Sequence, residues 1–64
     1  METSKLISEL KRGDICEYEK KERIVEMIFK SEYPKYPDDF IVEWRGETPV
    51  YINKDVIVKV KNIA

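Results

Sequence analysis

In the back half of the chain, apolar side chains fall on every second position. Phe40, Val42 and Trp44 alternate with Ile41, Glu43 and Arg45; Val56, Val58 and Val60 alternate with Ile57, Lys59 and Lys61. Successive side chains of a strand point to opposite faces, so this period of two predicts strands with one buried face. Residues 40–45 read as one strand and residues 56–60 as the last. Between them, Arg45-Gly46-Glu47-Thr48 reads as a hairpin connection in which Gly46 supplies the permissive backbone. Pro49 lacks an amide donor and belongs at a sheet edge or a strand start. Val50 and Ile52 then point inward, and Asn53-Lys54-Asp55 forms a tight turn.

The front half has a different rhythm. Leu6, Ile7 and Leu10 form a narrow apolar stripe at helical spacing. Thr3 or Ser4 can cap a helix start, and Lys11 and Arg12 suit the negative end of its dipole. Gly13 stands where a left-handed residue ends a helix. A helix over residues 3–12 is therefore predicted, docked through its stripe because so short a helix is marginal alone. Residues 14–18 read as a strand with Ile15 inward, and residues 19–22 as a charged turn. Residues 23–30 read as a second strand, with Val25, Met27 and Phe29 on one face and Ile24 and Ile28 on the other. Residues 31–39 form a loop. Its Tyr-Pro-Lys-Tyr-Pro stretch is expected to be extended and stiff, because each proline restrains the residue before it.

The elements add up to a mainly β domain spanning residues 1–64. It has a short N-terminal α-helix and five antiparallel strands over residues 14–61. For so few residues a small closed barrel is the economical arrangement, because closure removes exposed edges.

Leu10-Lys11-Arg12-Gly13-Asp14-Ile15 resembles the basic-Gly-Asp-aliphatic run that enters a strand of SH3 and SH3-like domains. The stretch from Trp44 through Gly46 to Tyr51-Ile52-Asn53-Lys54-Asp55-Val56 looks like the end of such a domain, where a short 3-10 turn leads into a valine-rich strand. The resemblance implies an SH3-like barrel. It carries over no binding residue: a helix is predicted where peptide-binding SH3 domains have an aromatic opening segment, and there is a single tryptophan.

Composition narrows the function. The chain is 42 % apolar and 39 % charged, yet its net charge is only −1, which favours folding over disorder. One cysteine, Cys16, allows no internal disulfide, and the absence of histidine removes the common zinc patterns and the commonest general base. Asp14 and Glu17 lie near Cys16 and would raise its pKa, so it reads as a packed or semi-exposed structural thiol. Asp38-Asp39 reads as a solvated turn, and the two glycines stand apart, so no phosphate-cradling loop is present. We therefore expect no enzyme, no cofactor and no metal. The start of the chain has no apolar leader pattern and no run long enough to span a bilayer, and an unpaired cysteine suits a reducing compartment. A cytoplasmic protein with no membrane partner is expected.

Three surfaces stand out. Tyr33 and Tyr36, set among prolines, either present a contact surface or fold back as a lid on the barrel mouth. Arg45, Tyr51, Lys59 and Lys61 can share an outer face suited to phosphates and bases, although Glu43 and Glu47 lie close to it. Ile41 and Ile57 point outward on what are expected to be neighbouring strands, open to a partner or a second copy unless the helix covers them. The sequence points first to a protein-interaction module using Tyr33, Tyr36 and the mixed barrel surface, with a protein partner or a second copy. The alternative is a nucleic-acid-binding barrel using Arg45, Tyr51, Lys59 and Lys61.

Overall fold

The N-terminal segment is where pattern and structure part. In the computed structural model, which describes residues 3–61, Thr3–Leu6 is a strand, β1, and not the start of a helix. It pairs antiparallel with the last strand, Thr3 opposite Val60 and Leu6 opposite Ile57. A single 3-10 turn, Ile7–Glu9, follows. The Ile7 amide donates to the Val56 carbonyl at 2.8 Å, and the Glu9 carboxylate accepts the Leu6 amide at 2.8 Å. The predicted helix over residues 3–12 is thus corrected. A lone helix of that length is marginal, whereas a strand ladder satisfies the same backbone and still buries Ile7 and Leu10.

Five further strands follow: β2 (Ile15–Tyr18), β3 (Lys21–Lys30), β4 (Asp39–Trp44), β5 (Val50–Asn53) and β6 (Ile57–Val60). They form one antiparallel sheet in the order β1-β6-β2-β3-β4-β5. Strands β2 to β5 are a meander, and β6 crosses back to lie between β1 and β2. The sheet is not closed: β1 and β5 are its two edges, and no ladder joins them among the described residues. The expected closed five-stranded barrel is therefore replaced by an open six-stranded sheet. The added strand is the segment read as helix, and it takes the open side of β6.

The turns follow local chemistry. Gly13 has φ 92° and its amide bonds the Val25 carbonyl, so it serves a turn closed by Asp14, whose carboxylate accepts the Lys11 amide at 2.9 Å. Gly46 has φ 81° in the β4–β5 connection. Pro49 immediately precedes β5, an edge strand, where its missing donor disrupts no ladder. The charged connection after β2 shrinks to Glu19 and Lys20, both at positive φ.

One core lies on the inner face of the bent sheet: Ile7, Leu10, Cys16, Val25, Val42, Trp44, Ile52, Val58 and Val60. The alternation read for β4 and β6 holds, with Phe40 and Val56 packed partly against this core. In β2 the inward residue is Cys16, not Ile15, because Cys16 sits opposite the inward Val60. Val50, expected inward, is 38 % exposed at the start of the edge strand. Trp44 stacks on Tyr18 at 5.6 Å, and the Arg23 guanidinium lies over the Tyr18 ring at 5.5 Å. Arg23 is held there by Glu47 at 3.0 Å and by the Tyr18 carbonyl.

Strand β3 changes face midway. Val25 pairs with Trp44, but Met27 pairs with Glu43, so β3 has one residue more than β4 across this step. Glu26 is the extra residue of a β-bulge, and the alternation inverts across it. Val25 is buried before the bulge, Ile28 packs on the core after it, and Met27 and Phe29 face water. The expected grouping of Val25, Met27 and Phe29 on one face is corrected accordingly.

Candidate interaction surface

The bulge delivers Phe29 to the outer face, and the ladder does the rest. Phe29 lies opposite Ile41, and Ile41 lies opposite Tyr51. Cross-strand partners share a face, so these three side chains form one row across β3, β4 and β5. Met27 stands one step along β3 beside Glu43.

The Tyr-Pro loop packs against this row through two consecutive turns. The Tyr36 amide donates to the Tyr33 carbonyl at 2.9 Å, and the Asp39 amide to the Tyr36 carbonyl at 3.4 Å. Pro34 and Pro37 each occupy the second position of a turn, where a φ near −65° is wanted. The stretch is stiff, as expected, but it is folded and not extended. Buried Ser31 anchors it, donating its amide to the Asp39 carbonyl at 2.9 Å and accepting the Tyr33 amide on Oγ at 3.2 Å. Tyr33 and Tyr36 therefore stack at 5.7 Å, and Tyr36 meets Tyr51 at 5.1 Å in a tilted contact.

The result is a continuous aromatic surface. Phe29, Tyr33, Tyr36 and Tyr51 each keep between 46 % and 51 % of their area in water. The loop tyrosines thus lie over the outer face, and neither is a lid on the core. A pocket of about 880 Å³ opens between Phe29 and Ile41 on the strands and Tyr33 and Pro34 on the loop, with Lys30 and Glu32 also lining it. That volume lies within the range of ligand-binding clefts.

Of the basic residues named with Tyr51, Lys59 and Lys61 lie on or after β6, and Arg45 follows β4. Arg45 lies at the end of β4, where its Nε donates to Glu26 at 3.0 Å; Arg12 reaches the other oxygen of the same carboxylate at 3.2 Å. Those bonds, the Arg45 hydrogen bond first, hold the Glu26 carboxyl below its ordinary pKa. Lys61 follows β6 and pairs with Glu17 at 3.5 Å, and Lys59, exposed, lies on β6 opposite Ser4 and Glu17. Three strands separate β6 from β5, so the ladder does not make Lys59, Lys61 and Tyr51 neighbours. Ile41 and Ile57 are not neighbours either: Ile57, 65 % exposed, sits opposite Leu6 towards the other edge of the sheet, and among the described residues no helix covers it.

Phe29 and Met27 are the surface residues that sequence reasoning placed on the other face of β3; Ile41 was read as outward, but beside Ile57 and not beside the tyrosines. A signal existed, since β3 is apolar on both faces and carries Glu26 in its middle, but alternation alone cannot place a bulge. Elsewhere the chemistry is quiet. Cys16 is buried, and burial, with Asp14 adding to it and Lys5 opposing, pushes its thiol up to about 11. Among the described residues no group of three or more acids and cysteines could hold a metal ion. No helix there is long and apolar enough to cross a membrane. No protein-family model, curated protein or solved structure matches the chain. The fold and surface define a small mainly β domain with an aromatic outer face.

Proposed function

We propose that the chain is a non-enzymatic protein-interaction module of the SH3-like kind, and that its aromatic face takes a short apolar stretch of a partner protein. One observation carries the reading. Phe29, Tyr33, Tyr36 and Tyr51 are each about half exposed on one face: Phe29 and Tyr33 line a pocket, and Tyr36 links Tyr33 to Tyr51 through ring contacts. Restrained aromatics of this kind supply contact area with little rotamer entropy to lose, and they dominate the energetics of protein interfaces. The SH3-like part is supported by the meander β2 to β5, the turn after β5 and the return of β6 to β2. β1, outside β6, departs from that pattern.

Solvent mapping by NMR tests the reading with isopropanol and phenol as probes. Intermolecular contacts should gather at Phe29, Ile41 and Tyr33. Probes that gather on another face, or on none, remove the reading.

The stacked tyrosines also favour a second reading, in which bases of a single-stranded nucleic acid stack on them. The net charge of −1 and the acids that occupy Arg45 and Lys61 oppose it. A short oligothymidylate titrated at low and high salt separates the two: binding that weakens steeply with salt favours nucleic acid.

A further inference from the structure

This inference rests on the interaction reading above and names its partner. We propose that the aromatic face docks against the same face of a second copy, giving a weak two-fold dimer. Area is the first argument. An aromatic side chain buries 150–250 Å² when fully covered, so four half-exposed rings with Met27 and part of Ile41 offer roughly 500 Å² per chain. That stands at the upper end of what a monomer ordinarily leaves open. Two such faces together remove about 1,000 Å², the lower bound of a specific interface, so a second copy matches the patch without further surface.

Charge is the second argument. In a two-fold contact each residue of one copy meets the image of another, so a rim of one sign repels itself. Here the rim is mixed: Lys30 and Glu32 line the pocket, Glu43 stands beside Met27, and Lys35 lies in the first turn. Such a rim does not repel its own image as a rim of one sign would, and it selects neither an acidic nor a basic partner. The net charge of −1 adds little repulsion between whole molecules. The face is also held ready, because the loop rings are fixed by two proline-led turns and by buried Ser31. Two sheet faces can pack about 10 Å apart, which brings the Phe29–Ile41–Tyr51 rows into contact.

Sedimentation equilibrium and amide spectra over a dilution series from about 1 mM to about 10 μM test the proposal, a range that brackets a weak complex. The average mass should rise towards twice that of the chain. The amide shifts that move on dilution should be those of Met27, Phe29, Tyr33, Tyr36, Ile41 and Tyr51. Tyr51→Ser, with its fold checked by amide dispersion, should weaken association on the order of tenfold or more, since each contact is lost twice. Ile57→Ser, on the far side of the sheet, should leave it unchanged. A monomer throughout the series overturns the proposal, as does association that survives Tyr51→Ser or moves amides of β1 and β6. A monomer that still gathers isopropanol and phenol at the face sinks the second copy alone. Absence of that gathering sinks the interaction reading itself.

Discussion

Cys16 is closed off on the inner side of β2, and its chemistry follows from that. A thiolate is the reactive form, and burial holds the thiol protonated up to about 11. Maleimide at neutral pH should therefore label the folded chain far more slowly than the urea-unfolded chain; equal rates would contradict the burial. The sign of the pH effect is set as well. The unfolded thiol releases its proton near 8.5, the folded one near 11. Stability from this group is complete below about 8.5 and declines as pH rises towards 11. Urea midpoints of the native chain and Cys16→Ala across that range should show the decline lost in the variant. The core and the surface differ by a comparable logic. Ile7→Ala removes a fully buried side chain and should cost about 2–5 kcal/mol, whereas Ile57→Ala, at 65 % exposure, should stay within about 0.5 kcal/mol. Emission from the single, buried Trp44 reports both unfolding transitions.

Among the elements, β3 and its turn are where sequence and backbone negotiate. Glu19 and Lys20 hold φ of 52° and 64°, a geometry that asparagine and glycine adopt with less strain. Glu19→Asn combined with Lys20→Gly should raise stability by about 1 kcal/mol, read as a higher urea midpoint. The bulge at Glu26 carries its own signature. Arg45 and Arg12 hold that carboxyl below its ordinary pKa, so the stability it adds is present above the usual carboxylate range and is lost as pH falls through the lowered value. Glu26→Gln should flatten the acid limb of the stability profile; an unchanged limb would show that the two arginines do not act on it in solution. The same bulge turns Phe29 outward, so one extra residue in a ladder decides whether the aromatic face exists.

Across the whole molecule, the open sheet ranks its strands. β2, β3, β4 and β6 have neighbours on both sides, while β1 and β5 have one each. Amide exchange should therefore be slowest in β3 and β4 and fastest in β1 and β5, and slow exchange throughout β1 would point to a partner on that edge. The aromatic face lies beside the looser edge β5, with its rows anchored in the firmer β3 and β4. A contact surface there can adjust at Tyr51 while Phe29 and Ile41 stay in place.

The strand character of β2 to β6, the inward sides of β4 and β6, the turn at Gly46 and the edge position after Pro49 were legible from the chain alone. Alternation and turn chemistry are local, and the burial of one face imposes them residue by residue. Tyr33 and Tyr36, on a proline-restrained loop, and Tyr51, on an outer strand face, were singled out in the sequence as candidate surface residues, and the structure leaves each about half exposed. Tertiary structure decided the remainder. Thr3–Leu6 became a strand because β6 had an open side to fill, and no pattern within ten residues reports a free edge fifty residues away. Phe29 joined Ile41 and Tyr51 on the outer face because a bulge shifted the register of β3 against β4. Register is a relation between two strands, so it exists only once both are paired.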